Sequence, residues 1–226
     1  MPDAGHDARS WPAAFLHALG VRPVLRPDWP ALPPDAAIDQ LAAAIRAEAD
    51  AQLPRGGRAH ILGQGLGALV ALELALGRRN LAASLTLVAG HAGERTAVAP
   101  PPWVGSALAD ALDCDAAAPP DAINALRHVP AFSDRPAPLL PAGETRAQLR
   151  AAATADSYAR LPRLRLPTLL LHGGADILVL PDNTRLLALR IRGAQTRIVP
   201  GAGHALVQER PALVGALLRD FIARHD

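Results

Sequence analysis

The chain contains no lysine, one cysteine and few aromatic side chains. All 23 basic residues among the 226 are arginine, the formal net charge is only +2, and aromatic residues make up 3% of the sequence. A single cysteine, Cys114, excludes an internal disulfide and a cysteine-cluster metal site, so we expect it to be a spectator. Scattered arginines without aromatic neighbours provide no basic stripe or stacking platform, so nucleic acid is not an expected partner.

Long apolar runs are lacking as well. Half of the residues are hydrophobic, but no run approaches the roughly 18 residues of a membrane span. The start of the chain lacks the basic and then apolar pattern of a signal peptide. We therefore expect a soluble, cytoplasmic protein without a membrane partner, and a chain of 226 residues suits one α/β domain.

The segment 59–76 predicts a strand, a sharp turn and a helix. A short apolar run enters a turn with glycine at positions 63, 65 and 67, and an alanine- and leucine-rich run follows without a breaker until Gly77. Glycine allows a tight reversal, because a Cβ at these places would clash. The G-x-S-x-G turn of hydrolases has a nucleophilic serine at its centre, whereas this chain has Gly65. Glycine has no side chain with which to attack a substrate.

Strands and helices alternate on both sides of this turn. Before it, residues 21–26 predict a short strand, and Asp35 is expected to cap a helix whose apolar face begins at Ile38. After it, strands are expected near residues 84–89, 168–171 and 196–199, with helices near 183–192 and 211–223. This alternation predicts a mostly parallel sheet with helices on both faces.

Residues 94–161 interrupt the alternation. Clustered prolines separate short helical pieces near residues 104–112, 121–128 and 145–160, and no strand is evident. A helical insertion of this kind is typical of a lid over the strand ends. We expect one domain over residues 1–226 with this lid, whose apolar, proline-rich composition favours a small hydrophobic substrate.

Polar residues follow the last two predicted strands, at the sheet edge where ligands of α/β proteins bind. The first of these loops is His172-Gly173-Gly174-Ala175-Asp176, and the second is Gly201-Ala202-Gly203-His204. A buried carboxylate that accepts a hydrogen bond from one imidazole nitrogen leaves the other nitrogen able to take a proton. Asp176 and His204 are therefore candidate catalytic residues.

The order of the glycine turn, the acid loop and the histidine loop resembles the α/β-hydrolase family of esterases, lactonases and related enzymes. The resemblance covers nearly the whole chain and includes the pattern H-G-x-x-D-x-x-V that begins at His172. It implies an α/β-hydrolase fold in which Asp176 orients His204, His204 is the general base and Gly65 occupies the nucleophile position. It also implies a small hydrophobic ester, thioester, lactone or acyl substrate, and neither a metal nor an organic cofactor.

The resemblance extends to residues 2–11, which are similar to the family's H-G-x-x-G loop and the tryptophan that follows it. The backbone N–H groups of Leu66 and Ala4 are thereby implied as oxyanion donors. Asp3 stands where glycine is usual, and a carboxylate there would oppose a developing negative charge. Only two residues precede Asp3, so the fold is expected to be N-terminally shortened. Three explanations stay open. The five remaining strands pair directly, a partner covers the exposed edge of the sheet, or the start of the chain is assigned incorrectly.

Three interpretations of Gly65 stay open. The chain is a serine hydrolase inactivated by substitution, a natural pseudoenzyme that serves as a binding or interaction module, or a cofactor-free lyase or isomerase that uses the Asp176–His204 pair for proton transfer. We expect the other hydroxyl and thiol side chains considered, which lack the turn geometry, to be inert: Ser84, Ser106, Ser133, Ser157 and Cys114. Further candidates for the pocket are Gln64, His91 and His6. The sequence indicates no oligomeric state.

Overall fold

The structure is a computed structural model that describes residues 1–4, 6–20, 22–31, 33, 35–77, 81–113 and 142–226. Cys114, Ser133 and the helix expected at residues 121–128 lie outside the described residues.

Four parallel strands form the sheet in the described part of the chain. They are β1 (Ala59–Gln64), β2 (Ala82–Val88), β3 (Thr168–Gly173) and β4 (Gln195–Val199), and they pair in chain order. Gln64 lies opposite Val88, and Gly173 lies opposite Val199. The carboxyl ends of the strands therefore meet at one edge, which confirms the predicted α/β architecture with a parallel sheet.

The helices lie before, between and after the strands and cover the sheet. In chain order they are α1 (Ala13–Ala18), α2 (Ile38–Gln52), α3 (Leu66–Gly77), α4 (Pro102–Asp113), α5 (Ala142–Ala153), α6 (Asp182–Arg190), α7 (Leu206–Glu209) and α8 (Pro211–Ala223), with 3₁₀ turns at Ala8–Ser10 and Tyr158–Arg163. In the part of the chain that the structure describes, no helix combines the length and the apolar character that crossing a membrane requires.

Two hydrophobic clusters lie on the two faces of the sheet. Leu87 and Leu170 pack with residues of α2 and α3, whereas their neighbours Val88 and Leu171 pack with residues of α1 and α8. Successive side chains of a strand point to opposite faces, so a continuous apolar run fills both clusters. Helix α3 is buried along almost its whole length, which agrees with its lack of a polar face.

Two expectations for the first part of the chain are wrong. Residues 22–31 contain no strand, because prolines at positions 23, 27 and 30 remove backbone donors that a ladder needs. Four of the five expected strands therefore form the sheet. Asp35 does not cap α2, since the residue before the helix is Ala37, whose N–H donates to the side chain of Gln40 at 2.8 Å.

The helix expected at residues 145–160 is two separate pieces. Helix α5 ends at Ala153, and a 3₁₀ turn begins at Tyr158. Between them, the Thr154 hydroxyl donates to the carbonyl of Ala151 at 2.7 Å and accepts from the N–H of Ile38 at 2.9 Å. The Thr154 side chain thus forms hydrogen bonds to the backbone at the point where the helix ends. That residues 94–161 act as a lid stays a prediction.

Candidate active site

The turn between β1 and α3 is built on glycine. Gly65 has φ +53°, a left-handed conformation that strains other residues. A Cβ on Gly63 would lie 1.9 Å from the carbonyl oxygen of Gly67, so the helix packs too closely for any side chain there. The turn therefore has the geometry predicted for a nucleophile elbow, without a nucleophile at its apex.

The first residues of the chain pass along the outer side of β1 and over this elbow. The N–H of Gln64 donates to the carbonyl of Met1 at 3.1 Å, and the N–H of His6 turns back to the carbonyl of Asp3 at 3.2 Å. These bonds fix the backbone on both sides of Asp3. Its side chain, which is 5% exposed, is thereby held against the apex of the elbow.

The Asp3 carboxylate accepts hydrogen bonds from both backbone N–H groups that are predicted to be oxyanion donors. Its Oδ1 accepts from the N–H of Ala4 at 2.7 Å and from the N–H of Leu66 at 3.0 Å. These are the two donors that the family resemblance implies, and the structure brings both to one oxygen. A Cβ built on Gly65 would lie 2.0 Å from that oxygen and 2.4 Å from Asp3 Cγ. The carboxylate thus fills the space that a serine side chain at position 65 would need.

His204 lies between two carboxylates. Its Nδ1 is 2.8 Å from Asp176 Oδ2, and its Nε2 is 3.3 Å from Asp3 Oδ2. Asp176 follows β3 and His204 follows β4, so neighbouring strand ends bring the pair together. We call the three residues Asp176, His204 and Asp3 the carboxylate–histidine row.

Asp176 is held by its own loop as well as by His204. Its Oδ1 accepts from the N–H groups of Leu178 at 2.9 Å and Val179 at 3.0 Å, and its Oδ2 lies 3.1 Å from Nε2 of His172. Burial alone would raise the pKa of Asp176, but the charge of His204 and the hydrogen bonds from both histidines lower it to about 2. Asp176 is therefore a carboxylate at neutral pH.

The two carboxylates decide the charge of His204. Burial opposes a charged ring and would lower its pKa, but Asp176 and Asp3 outweigh burial and raise the pKa of His204 to about 10. At neutral pH both ring nitrogens carry protons and face carboxylate oxygens. The general base implied by the resemblance requires a neutral ring, and the charges of Asp176 and Asp3 both oppose that form.

A cavity of about 410 Å³ opens onto this row. Asp3, Gly65 and His204 line it, as do the polar side chains of His91, Glu94 and Asn183. The rest of its wall is largely apolar and includes Leu66, Leu69, Val98, Leu108, Leu149 and Leu178. Helices α4 and α5 contribute to this wall, so the described part of the insertion borders the site.

The remaining pocket candidates differ in position. His91 lies on the cavity wall, where its Nδ1 accepts from the N–H of Gly93 at 3.2 Å, and burial lowers the pKa of His91. Gln64 and His6 are not among the described residues that line the cavity. Gln64 instead accepts from the N–H of Val207 at 3.2 Å, and so connects the elbow to helix α7.

Sequence reasoning missed two functions of side chains in this site. His172 supports Asp176, and its own Nδ1 is 2.7 Å from the hydroxyl of Thr184. The spacing of His172 four residues before Asp176 was the available signal. The second is that the side chain of Asp3 lies against Gly65. Each of these residues departs from the family pattern, but they lie far apart in sequence, so their contact was not predicted.

The serines considered as substitutes have other surroundings. Ser84 Oγ is 2.8 Å from Nδ1 of His60, Ser157 donates to Glu73, and Ser106 is exposed on α4. Within the described ranges, no group of three or more His, Cys, Asp or Glu side chains could hold a metal ion.

Comparisons with known proteins agree with this architecture. The model of the alpha/beta hydrolase family matches residues 2–217. A hydrolase from Pseudomonas aeruginosa PA01 has a TM-score of 0.82 at 23% identity, over 98% of this chain and 87% of that one. The enol-lactonase from Burkholderia xenovorans LB400 has a TM-score of 0.83 at 23% identity, over 98% of this chain and 89% of that one. At these identities the structures show the fold alone.

A curated relative is similar to part of the chain. A Synechocystis protein named for non-heme chloroperoxidase activity is 41% identical over 63 residues. This match spans 27% of this chain and 23% of the relative.

Proposed function

Because the chain belongs to the alpha/beta hydrolase family, we propose that it is a hydrolase whose reaction takes place at the carboxylate–histidine row and uses no serine. The observation that carries this proposal is the position of Asp3. One of its oxygens takes both backbone N–H bonds of the oxyanion site, and the other faces His204. A carboxylate thus stands where the family places a serine and the oxyanion, and it contacts the same histidine.

The charges of the row support a reaction rather than a packing role. Asp3 and His204 are buried and face a cavity, and ionised side chains are costly to bury unless they are paired. A carboxylate beside an imidazolium supplies a base or nucleophile and a proton donor within 3.3 Å of each other. Strongly shifted titrating groups that face a cavity are typical of catalytic sites.

The cavity favours a small and largely apolar molecule as the substrate. Its volume is about 410 Å³, at the lower end of ligand pockets. Esters, thioesters and lactones are the substrates that the sequence resemblance implies, and they are the first to assay. With Asp3 Oδ1 on both backbone donors, however, a substrate carbonyl oxygen would have to displace the carboxylate before it could be stabilised.

The experiment measures hydrolysis by the unaltered chain with three probes: p-nitrophenyl acetate, a small lactone and styrene oxide. We expect turnover of at least one probe, reduced at least about 100-fold in His204→Gln, since general acid–base catalysis contributes that much. The matched control is His17→Gln, an exposed histidine on α1, which should retain the rate. Turnover that survives His204→Gln would place the reaction elsewhere and refute the proposal.

A second candidate is a binding module. It is favoured by Gly65, which offers no side chain, and by the two backbone donors that Asp3 already occupies. In that case no probe is turned over, and a small apolar ligand raises the melting temperature without being changed. Proton-transfer chemistry of a lyase or isomerase would instead appear as exchange of a substrate C–H proton with solvent that requires His204.

A further inference from the structure

We propose that His91 binds the oxygen atom of the substrate, and that this substrate is a small apolar molecule with one neutral oxygen acceptor, such as a carbonyl group. The inference rests on the proposed function, because it takes the cavity beside the carboxylate–histidine row as the substrate site. It assigns the hydrogen-bond donor that orients the substrate, which neither the family resemblance nor the row itself provides.

The backbone at the end of β2 brings His91 to the cavity. Ala89, the first residue after the strand, has φ +49°, a left-handed conformation that residues with a Cβ rarely adopt. A Cβ on Gly90 would lie 2.8 Å from the Cβ of Ala68, so the chain passes close over helix α3. His91 follows directly and lines the cavity. A strained turn and a close contact therefore determine where this side chain lies.

The loop that carries His91 is also held on its other side. The carbonyl of Ala92 accepts from the N–H of Ser157 at 2.8 Å, and Gly93 forms an isolated antiparallel bridge with Asp156. A binding group whose position is fixed before the ligand arrives loses little freedom when the ligand binds. The loop thus provides a preorganised side chain on the cavity wall.

The hydrogen bond to the His91 ring determines which of its nitrogens can donate. Nδ1 accepts from the N–H of Gly93 at 3.2 Å, and a backbone N–H can only donate, so Nδ1 carries no proton. Burial lowers the pKa of His91, and the nearby charge of Glu94 raises it by less. At neutral pH the ring is therefore uncharged and its single proton is on Nε2. Among the described residues, Nε2 has no hydrogen-bond partner.

The donors of the elbow and of the row are already engaged. The N–H groups of Ala4 and Leu66 both donate to Asp3. The two ring nitrogens of His204 lie 2.8 Å from Asp176 and 3.3 Å from Asp3. A substrate oxygen that used any of these donors would first have to displace a carboxylate. A ligand that leaves these pairs intact has to find its donor elsewhere on the wall.

The other polar side chains on the described wall do not offer a donor. The amide nitrogen of Asn183 donates to the carbonyls of Val98 and Leu180, and its oxygen accepts from the N–H of Val98. Glu94 lines the cavity with a carboxylate, which accepts hydrogen bonds. Nε2 of His91 is therefore the side-chain donor that this wall leaves for a ligand.

The charges around the cavity favour a neutral oxygen over a carboxylate as the bound group. Among its described lining residues there is no arginine, although the chain contains 23 basic residues. Asp3 and Glu94 add negative charge, and the imidazolium of His204 already faces two carboxylates. An anionic ligand would lose its hydration in a largely apolar cavity without gaining a cationic partner there. A carbonyl oxygen needs only one donor, and His91 provides it.

The first test follows the imidazole signals of histidine labelled with nitrogen-15 by NMR, with cyclohexanone as the probe. The Nε2–H signal of His91, identified by its loss in His91→Phe, should shift on addition of cyclohexanone. Cyclohexene, which is similar in size but has no oxygen, should leave it in place. A signal that responds to neither probe, or equally to both, would overturn the inference.

The second test measures Kd for cyclohexanone in matched variants. His91→Phe keeps a ring but removes the donor, and should weaken binding about three- to tenfold, as loss of one neutral hydrogen bond does. His91→Gln retains a donor near the place of Nε2 and should recover most of the affinity. His17→Phe changes an exposed histidine on α1 and should bind as the unaltered chain does. Equal affinity in His91→Phe and the unaltered chain would overturn the inference.

Kinetics separate a binding role from a part in the chemistry. A hydrogen bond that is equally strong in the bound substrate and in the transition state affects KM and leaves kcat unchanged. With the best ester or lactone probe, His91→Phe should therefore raise KM about three- to tenfold and keep kcat within about twofold. A fall in kcat at unchanged KM would overturn the binding role.

The binding measurements need no turnover, so they distinguish this inference from the proposed function. A His91 signal that shifts with cyclohexanone, while no ester or lactone is hydrolysed, would support the donor and overturn the hydrolase. Hydrolysis that requires His204, together with a His91 signal that does not respond to cyclohexanone, would leave the hydrolase and overturn the donor.

Discussion

The two halves of the site differ in how closely they follow the family pattern. The acid and histidine loops provide Asp176 and His204 at 2.8 Å, in the order and loops that the pattern predicts. The elbow half has the predicted turn, but Gly65 replaces the serine, and Asp3 from another loop occupies the space. The acid and histidine half therefore has the arrangement that the pattern predicts, and the departures from the pattern lie in the elbow half.

The difference has a physical origin. Asp176 is held by two backbone N–H groups and by His172, so several bonds would be lost if it moved or changed. In the elbow half, the arrangement depends on the space beside Gly65 and on the charge of the group that fills it. The absence of a side chain at Gly65 leaves the space that the Asp3 carboxylate fills.

The largest expected effect is the dependence of stability on pH, which probes both halves at once. The pKa of His204 rises from 6.5 to about 10 on folding, so its contribution to stability is complete below about pH 6.5 and disappears as pH rises towards 10. Each unit of pKa difference corresponds to about 1.4 kcal/mol. Denaturant unfolding between pH 6 and 10 measures the decline.

On the acid side, the pKa of Asp176 falls from 3.8 to about 2, so its contribution is lost as pH falls through that interval. Asp3→Asn should flatten the alkaline decline, because one of the two carboxylates that hold the proton on His204 is gone. An unchanged alkaline slope in that variant would contradict the pairing of Asp3 with His204.

The second effect disrupts the half that follows the family pattern. Asp176→Asn should lower the free energy of unfolding by about 3–5 kcal/mol, since it leaves the buried His204 with a reduced set of partners. Urea titration at neutral pH measures the change. Asp182→Asn, on the exposed start of α6, should alter stability by less than about 0.5 kcal/mol, and equal losses in both variants would contradict the structure.

The third effect sharpens the comparison on the elbow side. Gly65→Ser should be destabilised, because the new side chain meets the Asp3 carboxylate, and Asp3→Gly together with Gly65→Ser should recover part of the loss. Residues in contact show coupling of about 0.5–3 kcal/mol in such a cycle. Hydrolysis of p-nitrophenyl acetate should be faster in the double variant than in either single variant, because only there do a serine, backbone donors without the Asp3 carboxylate and His204 coexist. Equal esterase activity in the single variant would show that Asp3 does not block the elbow.

The smallest effect concerns the cavity wall. His91→Asn should change kcat/KM by less than about tenfold, because His91 lines the cavity but does not belong to the carboxylate–histidine row. Steady-state kinetics with the best probe measures the ratio. A loss as large as that of His204→Gln would mean that His91 takes part in the chemistry.

The sequence by itself determined the alternation of strands and helices, the elbow and the order of the acid and histidine loops. These features follow from local patterns: apolar runs of strand length, glycines at the turn and polar residues just after strands. Helix α8 over Pro211–Ala223 has the bounds that its pattern predicted. The strand expected at residues 21–26 failed because proline removes ladder donors whatever the hydrophobicity of its neighbours.

Only the tertiary structure decided which side chain lies against the apex of the elbow. Asp3 and Leu66 are 63 residues apart in the chain, and no local pattern specifies that the carboxylate of one accepts from the N–H of the other. The charge of His204 depends on the same contact, because its pKa reflects the sum of burial and two facing carboxylates. Distances between remote residues and the field of buried charges are properties of the folded chain, and the candidate chemistry of this site depends on both.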